Sequence, residues 1–130
     1  MTGLEGSKYD KRLPHTQIDT LDWLYFINYI NALFEIIQSA TFARWLGDLK
    51  DQKARMRIHA RLDRLVLGNY GDVHPIGEGL SELRIHYGPG YRLYCMQRDL
   101  RIIVMLCGGD KSSQERDIEQ AKIIAKDWRD

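Results

Sequence analysis

A chain of 130 residues, 44% hydrophobic and 28% charged, has room for one domain with a modest core and has the composition of a soluble globular protein. The formal net charge of +1 hides an asymmetry: residues 44–101 carry eleven Lys/Arg against seven Asp/Glu, and residues 102–130 carry five against six. A local basic surface fits that balance, but the composition does not demand a nucleic-acid partner.

Residues 1–20 are polar and lack a recognisable signal peptide. Leu21 to Ile37 form the apolar run LDWLYFINYINALFEII, interrupted by Asp22, Asn28, Asn31 and Glu35. It is shorter than the roughly 20 residues a membrane-spanning helix needs, so an amphipathic helix leading into a strand is expected, with no membrane partner. Glu35–Gln38 reads as that strand. Ser39 to Lys50 reads as a helix capped by Ser39 or Thr41, with Phe42, Trp45, Leu46 and Leu49 at helical spacing. Asp51 is placed to cap a second helix to about Leu67, ended by Gly68. Its Ala54, Ile58, Leu62 and Leu65 make a core stripe, and Lys53, Arg57, Arg61 and Arg64 a basic ridge beside it. The ridge suits nucleic acid, and equally a solvated helix face.

Three strand signals follow. Leu80–Tyr87 alternates, with Leu83 and Ile85 on one face and Glu82, Arg84 and His86 on the other. The turn Gly88–Gly90 leads to Tyr91–Gln97, and Arg98-Asp99 turns into Arg101–Cys107, an apolar stretch suited to the middle of a sheet. Ser112 and Glu115 fit a capping box for a last helix with Ile118, Ala121, Ala125 and Trp128 on one stripe. The predicted order is β-α-α-β-β-β-α: an α+β fold with a compact antiparallel sheet, an αα-hairpin and a C-terminal helix.

Cys95 and Cys107 lie in apolar runs without CxxC spacing and read as reduced core residues. The four histidines have no metal spacing, so neither a metal site nor a cofactor is expected. The segment GGDKSS fails as a phosphate-binding P-loop because Asp110 stands where Gly must precede the Lys. A glycine-rich turn entering a helix still offers N–H groups and Lys111 to an anion, or serves as a plain turn and cap. His86 shares a strand face with Arg84, and Arg92 is expected across the turn. Such a cluster repels itself unless an anion, or Glu82, sits among the cations. With an anion it suits metal-free phosphodiester cleavage: arginines on the phosphate, His86 as acid or base, and Tyr87 or Tyr94 orienting or stacking on a base.

The blocks FARWLGDLKDQKARMRIHARLDRLVLGN (42–69), GDVHPIGEGLSELRIHYGPGYRLY (71–94) and MLCGGDKSSQERDIEQAKIIA (105–125) closely resemble the HigB-like addiction module killer proteins of the RelE/ParE toxin superfamily. The resemblance covers about Phe34 to Asp130, so residues 33–130 are expected to form a RelE-like toxin domain. Residues 1–32 are then an N-terminal extension, an added helix, or the product of a start codon assigned too far upstream. The family implies a cytoplasmic toxin of a type II toxin–antitoxin system that cuts ribosome-bound mRNA without metal. Its partner would be an adjacently encoded antitoxin, expected to carry a helix-turn-helix domain. Carried over by position, the catalytic basic residues fall on Arg84, Arg92 and Lys111, and Lys53, Arg57 and Arg61 fall where the family contacts ribosomal RNA.

Two departures stand out. Cys107 occupies the place of an arginine, and residues 108–130 lack the family's C-terminal tyrosine. His86 and Lys111 are expected to take over. The same superfamily includes ParE-like inhibitors of DNA gyrase, and a decayed toxin that only binds its antitoxin is a third expectation.

Overall fold

The computed structural model describes residues 19–129 and divides after Ala32 into two units. Residues 1–18 of the expected extension, and Asp130, lie outside the described residues. In the first unit the apolar run after Asp19 forms helix α1 (Thr20–Asn31), closed by the Ala32 N–H donating to the Asn28 carbonyl at 3.1 Å. None of its residues is buried, and Leu21, Trp23, Tyr25 and Phe26 stand exposed. Among the described residues no helix is long and apolar enough to cross a membrane.

In the second unit two side-chain caps set the αα-hairpin. The Ser39 hydroxyl accepts from the Phe42 N–H at 3.0 Å and starts α2 (Ala40–Asp48). Asp51 accepts from the Lys53 and Ala54 N–H groups at 3.0 and 3.2 Å and starts α3 (Gln52–Val66). Gly68, at φ +84°, turns the chain out of α3. The core stripe of Ala54, Ile58, Leu62 and Leu65 is buried as expected.

The strands are β1 (Glu35–Gln38), β2 (Val73–Gly77), β3 (Leu80–Ile85), β4 (Tyr91–Gln97) and β5 (Ile102–Asp110), in spatial order β1-β5-β4-β3-β2. The sheet is mixed, which corrects the antiparallel expectation: β1 runs parallel to β5, with Glu35 opposite Ile102, and the other pairs are antiparallel. Strand β2 was not anticipated; it contains Pro75, and as an edge strand it leaves the proline nitrogen no ladder bond to make. Both sheet faces are covered. On one, Leu83, Ile85, Leu93, Cys95, Ile103 and Met105 pack with Phe42, Leu46, Ile58 and Leu65 of the hairpin. On the other, Tyr94, Met96, Val104 and Leu106 pack with Ala121 and Ala125 of α4 (Gln114–Trp128).

At the far end of β5 the register slips. Tyr94 faces Cys107 and Cys95 faces Met105, so Leu106 is an extra bulge residue. Its carbonyl accepts from the buried Ser39 hydroxyl at 2.6 Å. Beyond the bulge, Gly108 and Gly109 are required by close approach: a Cβ on Gly108 would lie 2.3 Å from the Trp45 ring, and one on Gly109 1.9 Å from Asp117 Oδ2. The pair lets α2 and α4 clamp the strand end from opposite faces. Asp110, in extended conformation, then accepts from the Ser112 N–H at 2.8 Å and forms a capping box with Ser113 over the 3₁₀ turn Lys111–Ser113. This replaces the expected Ser112–Glu115 box, because the aspartate reaches the free N–H groups first. Cys95 and Cys107 are buried free thiols, and burial pushes both up to about 12.

Candidate functional site

The β3–β4 turn and the start of α4 enclose an open pocket of about 660 Å³. Arg84, His86, Arg92 and Lys111 all line it, joined by Tyr87 and Gln114, so the four residues expected from sequence to be catalytic share one space. Strand pairing does most of this: Arg84 sits directly opposite Arg92, and the turn brings β4 back beside its partner.

Two guanidinium groups on neighbouring strands would repel without a counter-charge. Glu82, two residues before Arg84 on the same face, supplies it. Its Oε1 accepts from Arg84 Nε at 2.8 Å and from Arg92 Nη1 at 3.2 Å. Its Oε2 accepts from Gln114 Nε2 at 2.8 Å and from the Tyr94 hydroxyl at 3.3 Å. Burial alone would push this carboxyl up. The hydrogen bonds from Arg84 and Gln114 and the charges of both arginines outweigh it and hold Glu82 below the ordinary 4.5. The Arg92 side chain is 10% exposed and Arg84 33%, so Arg84 presents more of its guanidinium to the pocket. Among the described residues no carboxylate lines this pocket, and Arg84, Arg92 and Lys111 outnumber the Glu82 carboxylate beneath them.

His86 projects from the rim with 78% of its side chain exposed. Its Nε2 lies 2.6 Å from Asp72 Oδ2, and the other Asp72 oxygen lies 2.8 Å from His74 Nε2. The bonds from His86 and His74 hold Asp72 below the usual carboxylate value despite the opposing effect of burial.

The expected RNA-binding residues divide. Arg57 lies over the Tyr87 ring, 4.6 Å from its centroid, and the Tyr87 hydroxyl donates to Asp51 at 3.0 Å. That bond, with burial, pushes the Tyr87 phenol up. Arg57 and Arg64 are exposed and line a second pocket of about 300 Å³ that shares Arg84 and His86 with the first. Lys53 is exposed at the start of α3 and lines neither pocket.

Two residues are corrected. Arg61 is buried at the floor of this second pocket, and its guanidinium donates to the carbonyls of Tyr70, Asp72 and Arg84, so it acts as a structural clamp with its donors already spent. Tyr94 is fully buried under α4 and cannot stack on a base; burial, then the Glu82 charge, pushes its phenol up. Of the two readings of the Gly-Gly-Asp-Lys turn, an anion site or a plain turn and cap, the structure has the cap, with Asp110 accepting from the Ser112 N–H. Asp72 and Gln114 were missed. Asp72 stands just before β2, a strand not anticipated from the sequence, and Gln114 is brought to Glu82 by the docking of α4.

A five-stranded sheet with an αα-hairpin on one face and a C-terminal helix on the other, opened at one end by a cationic pocket, defines a RelE-like α+β fold. An arginine-to-alanine double mutant of the E. coli toxin RelE in its free state superposes with a TM-score of 0.56, at 12% identity over 71% of this chain and 95% of that one. The toxin–antitoxin complex RelBE2 from Mycobacterium tuberculosis gives a TM-score of 0.49 at 18% identity, over 61% of this chain and 99% of that one. No family model matches the chain. In sequence it is 44% identical over 93 residues to a Haemophilus influenzae protein described as uncharacterised, covering 72% of this chain and 94% of that protein. The chain belongs to the same family as that H. influenzae protein.

Proposed function

We propose that this chain is the toxin of a type II toxin–antitoxin pair, of the HigB-like branch, which cuts translated mRNA in the cytoplasm and is neutralised by a cognate antitoxin. The observation that carries the reading is the pocket in which Arg84, Arg92, Lys111 and His86 converge with no carboxylate in its lining among the described residues. A phosphodiester entering it meets positive charge on several sides, and the pentavalent transition state carries one more negative charge than the ground state. The RelE-like fold agrees with this reading, as do the exposed Arg57 and Arg64 beside the second pocket.

In this mechanism Arg84 and Lys111 hold the scissile phosphate, and Arg92 completes the field from beneath. His86 is bonded through Nε2, so its Nδ1 takes the proton from the ribose 2′-OH. The 2′-oxygen attacks phosphorus, the bond to the 5′-oxygen breaks, and Lys111 gives that oxygen a proton. The product ends are a 2′,3′-cyclic phosphate and a 5′-hydroxyl. Because Cys107 is buried and bonded to the Asp117 carbonyl at 3.4 Å, the residue in the family's arginine position takes no part.

The test is primer extension on a reporter mRNA during a brief pulse of the wild-type chain and of the His86→Ala/Lys111→Ala variant. Both positions are exposed, so the fold is expected to survive. New 5′ ends inside the translated region, absent with the variant and in an untranslated copy, are the expected result. Full cleavage by the double variant removes both residues from these roles. Growth arrest with intact mRNA turns the reading to gyrase, and no arrest turns it to a protein that only binds antitoxin.

A further inference from the structure

His86 could reach the substrate in many orientations, with 78% of its side chain exposed, yet one nitrogen is fixed. We propose that Asp72 is a positioning residue that holds His86 by Nε2, leaving Nδ1 for the 2′-OH, and that Arg61 and Gly71 exist to place that carboxylate. The inference rests on the assignment of His86 as the base.

The loop carrying Asp72 is tied down far more firmly than a surface loop needs. The Asp72 carbonyl accepts from the Arg61 guanidinium at 2.8 Å and from the Arg84 N–H at 3.0 Å. Arg61 also takes the Tyr70 carbonyl through Nε and Nη2 at 3.1 and 2.9 Å, and the Arg84 carbonyl through Nη1 at 2.6 Å. One buried side chain of α3 thereby locks the peptide on both sides of Gly71 to the strand that carries Arg84. Gly71 has φ +68°, and a Cβ there would lie 2.8 Å from Arg61 Nε. Only glycine lets the loop close this tightly over the clamp. His74 engages the second Asp72 oxygen, which fixes the rotation of the carboxylate.

Charge gives the arrangement a use. His86 lines both pockets, whose other charged groups are Arg84, Arg92, Lys111, Arg57, Arg61 and Arg64. Among the described residues Asp72 is the one carboxylate in either lining. When His86 takes a proton, the imidazolium forms among cations that oppose it, and Asp72 is the adjacent charge that stabilises it. A base bonded to an orienting third group is the general arrangement of activated proton-transfer sites.

The experiment is a double-mutant cycle in a purified system: mRNA on programmed ribosomes, with the cleavage rate and the half-saturating toxin concentration measured for wild type, Asp72→Ala, His86→Ala and the double variant. Asp72→Ala is expected to lower the saturated rate about tenfold with unchanged half-saturation, since orientation is lost and binding is not. In the His86→Ala background the same substitution is expected to cost nothing further. Asp72→Asn, which keeps the shape, replaces Asp72→Ala in the cycle if the alanine variant melts early. An Asp72 variant at the wild-type rate, or one that slows both backgrounds equally, overturns the positioning role alone. A His86→Ala variant at full rate, or a wild-type chain that cuts nothing, overturns the base assignment and this inference with it.

Discussion

Replacing Glu82 by alanine would remove the acceptor of four hydrogen bonds from a residue with no solvent exposure. The four donors do not suffer equally. Arg84 and Gln114 are half-buried and can turn toward water. Arg92 and Tyr94, at 8% and 0% exposure, cannot. A stranded buried cation costs about 3–5 kcal/mol, and an unsatisfied hydroxyl about 1–3. The two share one vacated space that water can enter, so the costs overlap, and about 4 kcal/mol is a fair total. For a unit of roughly 100 residues this lowers Tm by about 15–30 °C. Glu82→Gln keeps the volume and one acceptor oxygen, and about half that loss is expected.

The assay is thermal melting followed by circular dichroism, at neutral pH and again near pH 3. Because the folded Glu82 carboxyl titrates below its ordinary 4.5, its stabilisation is complete above that value. It is lost as pH falls through the depressed folded value, so the wild-type advantage over Glu82→Gln should be smaller near pH 3 than at neutral pH. A Glu82→Ala variant melting within about 5 °C of wild type at neutral pH would refute the reasoning, since it would mean the arginines stand without their counter-charge.

Ser39→Ala removes both the α2 cap and the bond to the bulge carbonyl of Leu106, and should destabilise by about 1–3 kcal/mol in urea melts while leaving the saturated cleavage rate unchanged. Gly108→Ala forces the Trp45 ring aside, a loss of about 1–3 kcal/mol that should appear with a changed tryptophan emission; an unaltered spectrum and midpoint would show that the clamp has slack.

What could be read from the sequence was local. Ser39, Asp51 and Gly68 punctuate helices through contacts within a few residues, and those boundaries hold in the structure. That Arg92 returns near Arg84 and His86 was legible from the short Gly-Pro-Gly turn, but the partner residue was not: the strands end at Ile85 and restart at Tyr91, and this longer connection sets Arg84 opposite Arg92. The misreadings share a different cause. Arg61 has the helical spacing of Arg57 and Arg64, and only the return of the chain at Tyr70–Asp72 turns it from ridge to clamp. Tyr94 alternates onto the same face as Arg92, and nothing in its own strand says that α4 will cover it. The parallel edge was hidden likewise, since Glu35 meets Ile102 across most of the domain. Glu82 was legible as a possible counter-charge, whereas its fourth partner, Gln114, is set by how α4 docks.

The parallel pairing of β1 with β5 also dictates an order of assembly. Strand β1 is made early and its partner roughly 70 residues later, an interval of about 3–14 s at ordinary rates of synthesis. Through that interval Ile36 and Ile37 have no strand to lie against, and the Ser39 hydroxyl has no bulge to bond. Lys111 and Gln114, which finish the cationic pocket, come later still. A nascent chain therefore lacks the cationic pocket until β5 and α4 have followed the rest of the sheet, so the proposed activity cannot precede the closing of the fold.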